Sequence, residues 1–336
     1  MHEHRLRTGA RLTELGLGAA QLGNLYRRTT DEEARDAVDA AWDAGIRYFD
    51  TAPHYGLGLS ERRLGAALAD RPRDEYVLST KVGRALVPTP DRAHLRDDDG
   101  FDVPAQFRRE WDFTRDGVLR SLEGSLGRLG TDRVDVVYLH DPDAHWAEAS
   151  TSGIDTLVEL RDQGVVSAVG VGMNQSAMLA WFVRETDVDV VMCAGRFTLV
   201  DRAALADLLP AALDRGVSVV AAAVYNSGLL AGPRPRPDAR YDYEQAPADV
   251  LDRVHRIADV AEPFGITVPE LAAQYPLRHD AVASVVLGMR TAAHVTANTA
   301  RMTSAVPSEL WDELDRLGLV PGVGSEQDRH TGRSTS

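Results

Sequence analysis

Short apolar runs recur eight times along this chain, at 15–19, 46–50, 76–81, 134–140, 166–171, 188–193, 217–223 and 282–287, with helical patterns between them. Such alternation implies a parallel sheet, because parallel strands are joined by crossovers that helices fill. Eight units point to a closed barrel rather than an open doubly wound sheet, and 336 residues is an ordinary length for one. The expected fold is therefore α/β: a single (β/α)8 TIM barrel over 1–321. Residues 322–336, polar and rich in Gly and Ser, are expected to form a disordered tail. Segment 5–14 alternates around Thr8-Gly9 and predicts an N-terminal β-hairpin across the bottom of the barrel.

Several helices carry their own start and stop signals. Thr30-Asp31-Glu32-Glu33 has the form of a capping box, Val38, Ala41 and Trp42 mark one face, and Gly45 stops the helix. Ser60 starts another directly after Tyr55, and patterns over 152–162 and 203–215 run out at Gly164 and Gly216. Two connections, 83–116 and 225–263, are too long for simple loops. Both follow strands at the catalytic end of a barrel, so they are expected to build a substrate pocket or fold over a cofactor. The first holds Phe101, Phe107, Trp111 and Phe113 among many Asp and Arg residues, and for most of these aromatics anchoring the loop is the plainer role.

Charge and cysteine content narrow the partners. A net charge of −14 argues against nucleic acid or an anionic membrane. Cys193 is the single cysteine, so no intrachain disulfide is possible, and in its apolar run it reads as a small buried hydrophobe. The chain shows no apolar leader and nothing near the ~20 apolar residues of a membrane helix. A cytoplasmic protein acting on a small molecule is expected.

Four polar residues carry the chemistry. Asp50, Lys81 and His140 each end a strand pattern, and Tyr55 follows Asp50 in the next loop. In a parallel barrel the carboxyl ends of the strands lie on one side, so all four can meet in one pocket. Any one of them alone would read as part of a buried polar network. Together they answer a chemical problem, since an unperturbed phenol titrates near ~10. A neighbouring Lys81 ammonium would favour phenolate, Asp50 would hold that ammonium, and His140 would orient a substrate oxygen. No side chain accepts hydride, so hydride transfer at this site needs a cofactor. The run GLGAAQ at 16–21 fails as a dinucleotide fingerprint, because Gln21 stands where the third glycine belongs and a loop follows instead of a helix. No metal site is expected: His140, Asp141, Asp143 and His145 lack a ligand motif, and the two aspartates read as helix caps or rim residues.

On these residues the chain resembles the aldo-keto reductases. The likeness lies in FDTAPHYG at 49–56 with Ser60-Glu61 and Leu64-Gly65, STKVG at 79–83, and LRSLEGSLGRLG at 119–130 leading to DVVYLH at 135–140. GVGMN at 170–174 and GLLAG at 228–232 add later landmarks. Further segments resemble the aldose 1-dehydrogenase branch, which includes L-fucose, galactose and pyridoxal dehydrogenases: GNLY at 23–26, KVGRALVP at 81–88, HDPD at 140–143, AGRFTL at 194–199 and YNSGLL at 225–230. The resemblance implies a barrel that binds NAD or NADP without a separate nucleotide domain, with Asp50, Tyr55, Lys81 and His140 as the catalytic set. It assigns cofactor contacts to Gly23, Asn24, Asn174, Ser227, Leu229, Gly232, Gly288, Arg290, His294 and Asn298, and substrate contacts to His54, Trp111 and Trp146.

The departures bear on the cofactor. The family glutamine that partners Asn174 falls at Ala194, and the tyrosine stacked beneath nicotinamide falls near Ala222. The phosphate-gripping Lys and Arg correspond to Gly288 and His294, leaving Arg290 as the cation for a 2′-phosphate, so NAD is expected over NADP. The resemblance implies oxidation of the anomeric hydroxyl of an aldose, or of a similar hemiacetal, to a lactone. The alternatives are an NAD(P)H-dependent aldehyde or ketone reductase and, from another class, a nucleotide-binding regulatory subunit.

Overall fold

The computed structural model describes residues 1–242 and 244–323. Eight parallel strands close into a barrel in chain order: β1 (Leu15–Gly18), β2 (Tyr48–Asp50), β3 (Val77–Val82), β4 (Val136–His140), β5 (Ala168–Met173), β6 (Val190–Ala194), β7 (Ser218–Ala222) and β8 (Val282–Gly288). These fall on the eight apolar runs. The last strand closes on the first, with Val285, Val286 and Leu287 opposite Leu15, Gly16 and Leu17. Side chains are buried on both faces of the sheet, so the strands read as continuous apolar runs rather than alternating ones.

The surrounding helices are α1 (Asp31–Asp43), α2 (Leu59–Leu68), α3 (Arg115–Leu129), α4 (Ile154–Asp162), α5 (Ser176–Glu185), α6 (Leu208–Arg215), α7 (Ala248–Ala261), α8 (Val268–Gln274), α9 (Ala292–Thr303) and α10 (Ser308–Arg316). The capping box of α1 forms: Thr30 Oγ1 accepts from Glu33 N at 3.0 Å, and the Glu33 carboxylate accepts from Thr30 N at 2.7 Å. Ala34, Ala37, Val38 and Ala41 then face the barrel at helical spacing. The pattern at 152–162 enters its helix later, through a wide turn at Ala149–Gly153, and that at 203–215 splits into a short turn and α6. The long connection 225–263 is not all loop. Val254, Ile257, Ala258 and Ala261 give its second half an apolar stripe, and that half forms α7.

The N-terminal hairpin pairs Glu3–Arg5 with Arg11–Thr13, slightly ahead of the expected 5–14. Its Leu6 and Leu12 pack against Tyr48, Val136, Tyr138 and Val190 inside the barrel, while Arg7 reaches Asp187 and Asp189 at 2.6 and 2.8 Å. The hairpin therefore plugs the end opposite the strand carboxyl termini. At the other terminus Val323 is buried in the barrel–helix core, so packing continues past residue 321; the rest of the expected tail, 324–336, lies outside the described residues. Among the described residues no helix is long and apolar enough to cross a membrane.

Candidate active site

Asp50 is the last residue of β2, Lys81 lies one before the end of β3, and His140 is the last of β4, so strand geometry alone brings the three together. Tyr55 is delivered by the loop after β2. That loop is fixed by two glycines at close approach: a Cβ on Gly23 would stand 2.6 Å from the Tyr55 carbonyl, and Gly56, at φ 64°, meets Gly23 in return. Gly23 thus acts by letting two loops touch, and it does not line the cavity.

Lys81 Nζ donates to Asp50 Oδ2 at 2.6 Å and to the Thr51 carbonyl at 3.0 Å, and it stands 4.9 Å from the centre of the Tyr55 ring. Asp50 Oδ1 accepts from Ser79 Oγ at 2.7 Å; Ser79 reaches Tyr48 Oη at 3.2 Å, and Tyr48 pairs with Tyr138 at 3.1 Å. The carboxylate is therefore anchored to a ladder of hydroxyls in the barrel interior. Burial works against the charge of Lys81, but Asp50 and the neighbouring tyrosines together outweigh it and the ammonium titrates above its ordinary range. Burial pushes the Tyr55 phenol up, Lys81 pulls it down, and Asp50 adds to the rise. His140 meets Tyr55 edge to face, ring centres 5.7 Å apart. Burial first, then the cations of Arg84 and Lys81, hold its imidazole well below the usual range, so it is neutral near pH 7. His54 is pushed down to about 2 by burial and then by Arg84 and Arg109.

These groups open into a cavity of about 630 Å³, which a second hollow of about 520 Å³ extends across the β8–α9 junction. Gln21, Leu25, Tyr26, Asn174, Ala223, Val286 and Gly288 line both, so the two form one elongated cleft. Such a shape suits an extended dinucleotide. Asn174, Ser227, Gly288, His294 and Asn298 lie along it, and Gly288 keeps the junction open because a Cβ there would come 3.1 Å from Gln21 Nε2. Asn174 Nδ2 donates to the backbone carbonyl of Ala194 at 2.9 Å, and Ala194 and Ala222 line the cavity with small side chains.

Other expected contacts lie elsewhere. Asn24 is buried in loop structure, accepting from Thr29 N and Arg63 and donating to the Asp102 carbonyl. Leu229 is buried in the core, and Gly232 lies outside the cleft. Arg290, expected to meet a 2′-phosphate, turns inward instead: it donates to the carbonyls of Leu25 and Arg27 at 2.7 and 2.9 Å and to Thr29 Oγ1 at 2.5 Å. Its fork is occupied in holding the β1–α1 loop. Trp146, expected against substrate, packs edge-on to Trp181 and Phe182 of α5, with centres 4.7 and 5.0 Å away. Trp111 stacks on His145 at 4.8 Å and carries the Arg84 guanidinium 4.4 Å over its ring, so it supports the cavity through Arg84. Of the three expected substrate contacts, His54 lines the cavity.

Several lining residues escaped the sequence reading. Arg84, Asp99 and Phe101 come from the long 83–116 connection, and Asp141, read as a cap or rim residue, faces the cavity and pairs with Arg84. Arg301 lines the arm of the cleft at the β8–α9 junction and donates to Asn298 Oδ1 at 2.9 Å. One signal was available for it, since Arg301 falls one helical turn after Asn298 on the same face. Among the described residues no cluster suits a metal ion.

Comparison with known proteins gives a consistent result. The profile of the Aldo/keto reductase family matches residues 14–318. A D-threo-aldose 1-dehydrogenase from a Pseudomonas species is 47% identical over 316 residues, covering 93% of this chain and 96% of the relative. A pyridoxal 4-dehydrogenase from Microbacterium luteolum is 37% identical over 333 residues, covering 94% and 96%. Among solved structures, the holo form of an aldo-keto reductase from Bacillus halodurans superposes with a TM-score of 0.76 at 26% identity, covering 98% of this chain and 99% of that one.

Proposed function

Since the chain belongs to the aldo/keto reductase family, and is thus an oxidoreductase enzyme that works with a nicotinamide cofactor, we propose that it oxidises the anomeric hydroxyl of an aldose to a lactone. The observation that carries the proton-transfer part is the convergence of Tyr55, Lys81, Asp50 and His140 in one cavity. The aldose class rests on the similarity to the Pseudomonas relative.

A bound nicotinamide supplies the hydride acceptor that side chains lack. The protein's own residues manage the proton. Tyr55 Oη takes the proton of the anomeric hydroxyl, and the Lys81 ammonium beside its ring favours the phenolate that does so. Asp50 keeps Lys81 charged and pointed, with Ser79 holding the other carboxylate oxygen. Neutral His140 has a carboxylate oxygen of Asp141 3.7 Å from Nε2, which favours the tautomer with its proton there. That N–H then donates to the sugar oxygen and aligns it with Tyr55.

We read the cofactor as NAD in preference to NADP. Arg290 is committed to acceptors of the β1–α1 segment, and burial holds His294 below its usual range, so neither offers a 2′-phosphate a free cation. The decisive experiment measures oxidation of an aldose panel with NAD+ and with NADP+ beside reduction of simple aldehydes with the reduced cofactors. Aldose oxidation with NAD+ giving kcat/KM at least equal to NADP+ is expected; a preference for aldehyde reduction would instead favour a reductase running the same four residues in reverse.

A further inference from the structure

The cavity holds a pair of opposite charges, of which the proton transfer uses only the field of Asp141 on the His140 tautomer. Arg84, the first residue of the hairpin strand Arg84–Pro88, donates through Nη2 to Asp141 Oδ2. Trp111 lies 4.4 Å beneath the guanidinium and the His54 ring 3.4 Å from it, so Arg84 is largely covered, its side chain 14% exposed. Asp141, 31% exposed, keeps part of its carboxylate open to the cavity. It also adopts a left-handed backbone at φ 42°, a conformation that a non-glycine residue holds only at a cost and that recurs at functional sites. This turn, directly after His140, brings Asp141 Oδ2 to 3.7 Å from His140 Nε2.

We propose that Asp141, held by Arg84, accepts a hydrogen bond from the hydroxyl on the carbon next to the reacting one, so that the enzyme selects 2-hydroxy hemiacetals over deoxy analogues and simple alcohols. The inference rests on the aldose reading above. Oxygens on neighbouring carbons of a sugar ring stand about one hydrogen-bond length apart. A sugar whose anomeric oxygen accepts from His140 therefore brings its next hydroxyl to the carboxylate beside it. Burial raises the titration of that carboxyl and Arg84 opposes the rise; paired with Arg84 the carboxylate makes a site neutral overall, which suits an uncharged polyol and gives an acid substrate no unpaired cation. Asp99, also on the cavity wall, is 53% exposed and lies 3.7 Å from His54, so it sits further out on the rim.

The test compares kcat/KM for an aldose that the wild-type enzyme oxidises, L-fucose being the first to try, with its 2-deoxy counterpart, in wild type, Asp141→Ala and Asp141→Asn. A hydrogen bond to a charged group predicts that wild type favours the parent sugar about 10- to 100-fold. Asp141→Ala, which also loosens the His140 tautomer and so slows both sugars, should cut the parent further than its 2-deoxy counterpart by that factor and bring the two close to parity. Asp141→Asn, which keeps the shape and one acceptor oxygen, should fall between and serves if the alanine variant does not fold. Equal losses on both sugars in the variants, or a wild type indifferent to the 2-hydroxyl, would overturn the assignment while leaving aldose oxidation in place. If wild type oxidises no aldose at all, the aldose reading fails and this assignment falls with it.

Discussion

Tyr55 and Lys81 divide the labour in a way that single substitutions can separate. Tyr55→Phe keeps the ring that packs near His140 and Phe101 and removes only the oxygen that moves the proton. Its kcat should fall about 10²- to 10⁴-fold, the range for one general acid–base group, while cofactor affinity by fluorescence titration stays near wild type. A variant with near-normal kcat would rule out Tyr55 as the base. Lys81→Met removes the cation that opposes burial of the phenol, so Tyr55 should titrate higher and the limb on which oxidation rises with pH, where the phenolate base forms, should move to higher pH. The same change strands Asp50 without its partner at 3% exposure, and a stability loss of about 3–5 kcal/mol in urea unfolding should accompany it. Residual activity with an unshifted profile would mean that Lys81 serves the fold alone.

One scale up, the β1–α1 loop depends on a residue from the far side of the chain. Arg290, just past β8, reaches back to Leu25, Arg27 and Thr29, and Leu25 and Tyr26 line both arms of the cleft. Arg290→Ala should therefore weaken NAD+ and NADP+ alike, lower stability by about 2–3 kcal/mol, and raise hydrogen exchange over 24–29. A selective loss of NADP+ would return Arg290 to the phosphate. The contrast shows what a sequence can convey at this scale. The capping box of α1 and the strand ends carrying Asp50, Lys81 and His140 were legible because local pattern decides them. The direction of Arg290, the packing of Trp146 on α5 and the pairing of Arg84 with Asp141 were not, since each depends on partners brought together only by closure of the barrel. The stripe of α7 was present in the sequence but was hidden inside a stretch defined by its distance from the next strand.

For the molecule as a whole, the buried histidines tie stability to pH. Imidazoles of the unfolded chain gain a proton near ~6.5. In the folded protein His54 is held down to about 2 and His140 well below its ordinary value. Above pH ~6.5 neither state is protonated and stability is complete; below it only the unfolded chain gains protons, so each histidine removes up to about 1.4 kcal/mol per pH unit until its folded value is reached. Urea unfolding between pH 7 and 5 should show this slope, and His54→Asn should reduce it by one proton's worth; an unchanged slope would show that His54 takes no part. The eightfold alternation foretold the barrel, and its closure has a consequence in time. Leu15 finds its partner at Val285, some 270 residues later. A ribosome adding ~5–20 residues per second leaves the first strand without that neighbour for roughly 15–55 s. Its brevity, four residues of which two are glycine, gives a passing chain little edge to seize during that wait.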